Sequence, residues 1–70
     1  MLRITQERQR KGLSQSKLAR AANVHPTHVS MLEAGKVFPY PGWVDRLAQV
    51  LGVPGEGLFD EVDDDPRLSP

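Results

Sequence analysis

Seventy residues make one small domain, and a chain this short buries only about 60% of the surface that its unfolded form exposes. It carries no cysteine, so disulfides and thiolate metal sites are excluded, and His25 and His28 are too few for a structural zinc site by themselves. The zero formal net charge hides two opposite blocks: residues 1–55 hold eight Lys/Arg against three acids, a balance of +5, and residues 56–70 hold six acids against Arg67 alone, a balance of −5.

In chain order, a polar and basic first helix is expected from about Ile4 to Lys11, with Gly12 as its stop. Ser14 is placed to cap a second helix over Gln15 to Ala22, whose Leu18, Ala19 and Ala22 form a short apolar stripe. Asn23 tolerates the left-handed conformation that a tight turn between helices requires. Pro26 suits the first position of a third helix, Pro26 to Ala34, which Gly35 ends. Val29 and Leu32 set its core face, leaving Thr27, His28, Ser30, Met31 and Glu33 to point elsewhere.

Lys36 to Tyr40 reads as a loop. Pro41 restarts helix, Val44, Leu47, Ala48 and Leu51 repeat at helical spacing, and Gly52 stops it. A short turn of helix near Glu56 to Asp60 is expected to tuck Leu58 and Phe59 onto the core. The fold class is therefore all-α: a bundle of about five short helices. The domain is expected over 1–61, followed by an acidic tail over 62–70 with too little apolar content to fold.

The spacing of Leu18, Ala19, Asn23, Val24, Val29 and Leu32 suits two short helices meeting steeply around a tight turn, a helix-turn-helix. The segments Gly12-Leu13-Ser14-Gln15, Leu18-Ala19, Val29 to Lys36, Pro39 and Leu47 to Val53 together resemble the Cro/phage-repressor (XRE-type) family, over roughly residues 3–60. The resemblance implies a lambda-repressor-like DNA-binding fold whose third helix enters the major groove. It implies that Thr27 and Met31 reach base edges, with Pro26 offering only apolar contact. Gln15 is expected to hold a phosphate while bracing the recognition helix. Ser30 and His28 are expected within reach of a phosphate or a base, and Lys36 is expected on the backbone. In relatives the Glu33 position pairs with the Arg8 position, so both residues are expected to be structural.

Three positions depart from the family pattern. Asn23 replaces a glycine, Glu7 stands at a usually apolar position with Lys11 as a local partner at i+4, and His25 replaces a small capping residue. Phe38, Tyr40 and Trp43, together with Val37, form an apolar cluster that reads as a local minicore or as a surface for a protein partner.

The function these features predict is a sequence-specific DNA-binding transcriptional regulator, a repressor acting as a homodimer on double-stranded DNA. The alternative is an antitoxin-like or co-regulator module that uses the aromatic loop and acidic tail. No carboxylate pair, nucleophile–base set or glycine-rich phosphate loop is present, so no enzyme, catalytic residue, metal or cofactor is expected. With no apolar run near the ~20 residues of a membrane span and charge arriving at Arg3, no membrane association or secretory leader is expected, and the chain reads as cytoplasmic.

Overall fold

Residues 1–63 are described by the computed structural model. Four helices follow in order: α1 (Arg3–Arg10), α2 (Gln15–Ala21), α3 (Pro26–Glu33) and α4 (Pro41–Leu51). Among the described residues there is no strand, only an isolated antiparallel bridge between Leu2 and Glu61.

All four helices end in the same way. The left-handed residue after each one, Gly12, Asn23, Gly35 or Gly52, donates to a carbonyl three residues back. The residue after that donates to a carbonyl five back: Leu13 to Arg8, Val24 to Ala19, Lys36 to Met31 and Val53 to Ala48. This paired pattern satisfies carbonyls that the helix itself cannot. Asn23, at φ 56°, fills the position with a side chain where the other three use glycine. The tight α2–α3 turn thus depends on one residue that tolerates a conformation most side chains avoid.

The helix starts differ more. Ser14 caps α2 by accepting from the Lys17 amide at 3.1 Å. Leu2, before α1, makes no side-chain cap. The orphan amides there are met from the far end of the chain instead: Arg3 donates to the Asp60 carbonyl at 2.9 Å and Ile4 to Leu58 at 2.8 Å.

That arrangement explains the main correction to the expected fold. Four helices form, not about five, because Glu56 to Asp60 is a turn and not a helix. Gly57 is left-handed at φ 77°, and Leu58 and Asp60 close three-residue turns onto Gly55 and Gly57. Their carbonyls then face α1 rather than running up a helix of their own. Leu58 is still fully buried and Phe59 packs against the core.

The core gathers Ile4 of α1, Leu18, Ala19 and Ala22 of α2, Val29 and Leu32 of α3, and Leu47, Ala48 and Leu51 of α4, closed by Val24 and Leu58. Every element contributes, which is what a domain this small requires of so few large side chains. Val62 and Met1 exchange hydrogen bonds, and Gln6 Nε2 donates to the Asp63 carbonyl at 2.9 Å. The remainder of the expected acidic tail, 64–70, lies outside the described residues. No described helix is long and apolar enough to cross a membrane.

Candidate nucleic-acid interface

The geometry of α3 follows from its core face. A helix turns about 100° per residue, so with Val29 and Leu32 facing inward, Ser30, Ala34, Thr27 and Met31 share an outward arc of roughly 100°. Thr27, Ser30 and Ala34 are exposed and Met31 half-buried. Glu33 and His28 sit at the two flanks of that arc. Each is anchored to a different neighbour, and together the two anchors set the rotation of α3 about its axis.

On the Glu33 flank, the carboxylate collects four donors from three places. Arg8 Nε donates to Oε2 at 2.8 Å and its Nη2 to Oε1 at 3.0 Å, a two-pronged pair. Thr5 Oγ1 donates to Oε1 at 2.9 Å and Gln15 Nε2 to the same oxygen at 3.2 Å. The third prong of Arg8, Nη1, donates to the Leu13 carbonyl at 2.9 Å. The Arg8 and Glu33 side chains are 12% and 6% exposed, so the charges are largely desolvated and the planar guanidinium matches the carboxylate in shape. This cluster ties α1, the start of α2 and the end of α3 into one unit. Neither charge is left over for chemistry.

Gln15 spends one Nε2 proton on Glu33 and retains a second proton and its amide oxygen at the rim of α2. Gln15, Ser30, Ala34 and Thr5 line an open groove of about 450 Å³, together with Met1 and Glu61. Glu33 also lines this groove, and the Met1 ammonium pairs with the exposed Glu61 at 3.3 Å, so both acids that line it are engaged with cations.

The His28 flank is aromatic. The His28 ring stacks on Trp43 of α4, centroids 4.6 Å apart and planes at 29°. Trp43 meets Tyr40 edge-on at 5.3 Å, and Tyr40 meets Phe38 edge-on at 5.1 Å. Phe38 is 65% and Tyr40 56% exposed, whereas Val37 and Trp43 pack on the core. The apolar cluster therefore divides: Val37 and Trp43 form the minicore, and Phe38 and Tyr40 stand outside it.

His25 caps α3. Its Nδ1 accepts from the Thr27 amide at 3.1 Å, doing with an imidazole what Ser14 does with a hydroxyl. Pro26, half-buried, follows as the first helical residue and has no amide to satisfy. The expectation that Glu7 would find Lys11 is replaced by a pair with Arg10 at 2.9 Å, one turn along α1. Lys36 is exposed just past the end of α3, its backbone fixed by the Met31 carbonyl at 2.9 Å.

Three participants escaped the sequence reading. Thr5 lies three residues before Arg8 and so on the same helix face, a signal that was available. His25 stands at the capping position but with an acceptor unusual there, and the His28–Trp43 stack had no signal, because it joins residues 15 positions apart in sequence.

A family model described as a helix-turn-helix domain matches residues 2–60, nearly all of the described chain. The chain belongs to the helix-turn-helix domain family. Membership agrees with the resemblance to Cro/phage repressors and points to a DNA-binding regulator. In this helix-turn-helix domain, α2 and α3 are the paired helices and Asn23 is the hinge of the turn. No curated protein matches the chain.

Proposed function

We propose that this domain is a sequence-specific DNA-binding transcriptional regulator that inserts α3 into the major groove and represses by occupying promoter DNA. The observation that carries the reading is the outward arc of α3, held between the Arg8–Glu33 cluster on one flank and Trp43 on the other, in a member of the helix-turn-helix family. A groove-reading helix has to be presented in one rotation, and two anchors on opposite flanks supply that.

In this reading Thr27 and Met31 contact base edges, Thr27 by its hydroxyl or methyl and Met31 by apolar contact alone. Pro26 adds apolar contact at the leading end, and Ser30 reaches a phosphate or a base. Gln15, His28 and Lys36 hold phosphates and set the register without reading sequence. Two copies related by a two-fold axis read half-sites about 34 Å apart, one turn of DNA. The protein acts in the cytoplasm, where such a regulator meets its DNA. Footprinting on the promoter region of its own gene, with binding measured across a salt series, tests this. Protection that weakens steeply with salt supports it, and no protection at low salt rejects it.

A second reading has one observation in its favour. Phe38 and Tyr40 are exposed side by side, and aromatic residues are enriched in protein interfaces. An antitoxin-like or co-regulator module would use them on a partner protein. Duplex binding by the isolated chain separates the two readings.

A further inference from the structure

The start of α3 holds two imidazoles in contact, His25 and His28, with centroids 5.8 Å apart and planes at 63°. They are not chemically equivalent. The His25 cap exists only while Nδ1 is bare, because the lone pair there receives the Thr27 proton at 3.1 Å. A second proton on His25 would turn that acceptor into a donor aimed at an amide. His28 is under no such constraint. Among the described residues nothing hydrogen-bonds its ring nitrogens, and beside the edge-on contact with His25 its ring lies on the face of Trp43.

An indole face is the best aromatic partner for a cation. The charged and titratable groups on the packed elements are few. From α4 there are Asp45 and Arg46, both exposed, with Arg46 Nη1 directed to the Asn23 carbonyl at 3.4 Å. From α2 there are Lys17 and Arg20, also exposed, and from the α3–α4 loop the exposed Lys36 and the Tyr40 phenol, which meets Trp43 rather than His28. No carboxylate is bonded to His28. Among the described residues no opposite charge completes an imidazolium site at His28, and a DNA phosphate would supply one.

We propose that His28, seated on Trp43, is a proton-linked phosphate-binding group, so that DNA binding takes up a proton, and that Trp43 is the positioning residue that holds the ring for it. This rests on the reading of α3 as the DNA-contacting helix. Imidazole is the side chain that changes charge between about pH 5 and 8. If the complex holds the proton more tightly than the free protein, reciprocity requires that protonated protein hold DNA more tightly. The sign is therefore fixed: affinity rises as pH falls. Protonation at His25 has the opposite sign, because losing the cap loosens the leading turn of α3.

The test is the affinity of the full chain for a labelled duplex of mixed sequence at low salt, from pH 8 down to about 5.5. Phosphate contact needs no particular operator. The native protein is expected to tighten by about tenfold, the change that follows if the complex grips the proton ten times more firmly. His28→Gln keeps a polar side chain that does not titrate and is expected to flatten the profile. His25→Asn supplies a cap without an imidazole, removes the opposing protonation, and is expected to keep the tightening toward acid or steepen it. Trp43→Phe retains an aromatic face and most of the effect, whereas Trp43→Leu loses it. Circular dichroism on each variant separates loss of the ring contact from loss of the fold. A flat native profile, a profile that weakens toward acid, or a His28→Gln profile matching the native one each overturns the proposal while leaving DNA binding by α3 standing. No duplex binding at any pH overturns both.

Discussion

Glu33 shows how a single carboxylate can organise a domain. Its two oxygens accept from Thr5, Arg8 and Gln15, so removing it strands the Arg8 guanidinium in a site with little water. Breaking a buried pair from one side costs about 3–5 kcal/mol. Glu33→Ala is therefore expected to lower stability by that amount in urea denaturation. Glu7→Ala breaks the more open pair with Arg10 and is expected to change it by less than about 1 kcal/mol. Similar losses in the two variants would mean that the Glu33 cluster is not desolvated. At His25 the residue-scale test is a rescue. His25→Ala removes the cap on α3 and should cost about 1 kcal/mol, and His25→Asn should recover most of it. In a domain of this size that loss appears as a fall in Tm of about 4–8 °C. Equal melting of His25→Ala and the native chain would show that the imidazole cap contributes nothing.

At the scale of elements, α4 joins the helix-turn-helix to the rest of the core through Leu47, Ala48 and Leu51. Leu47 is fully buried, and truncating it leaves a cavity that so small a core cannot refill. Leu47→Ala is expected to destabilise by about 2–5 kcal/mol, enough to unfold much of the population, as thermal melting would report. The same elements show what could be read from sequence. Local signals gave the four helices nearly to the residue: Ser14 before α2, Pro26 and Pro41 opening α3 and α4, and Gly12, Asn23, Gly35 and Gly52 closing all four. Each is a short-range consequence of backbone chemistry. The segment from Glu56 to Asp60 departs from the expected helix because its structure is decided by a distant demand. Its carbonyls satisfy the first amides of α1, more than fifty residues away, and no local pattern announces that. The division of the aromatic cluster was equally hidden. Which of Phe38, Tyr40 and Trp43 is covered depends on His28 reaching across from α3.

At the scale of the molecule, charge and shape meet. The +5 balance of residues 1–55 lies on the segment that contains α2, α3 and Lys36, while the acids gather at the other end of the sequence. The domain has no bidentate donor on the outward arc of α3, where Thr27, Ser30 and Met31 stand. Discrimination per contact is therefore expected at the low end of the usual ~1–3 kcal/mol, and affinity is expected to depend strongly on phosphate contacts. The central claim, that the α3 arc reads bases while Lys36 only positions the domain, is tested most directly by binding-site selection from a random duplex pool. Thr27→Ala and Met31→Ala are expected to relax preference at particular base pairs. Lys36→Ala should keep the same preferred sequence, weaken all sites alike and reduce the salt slope by about one unit. A Lys36→Ala protein that selects a different sequence, beside a Thr27→Ala protein that selects the native one, would contradict the account.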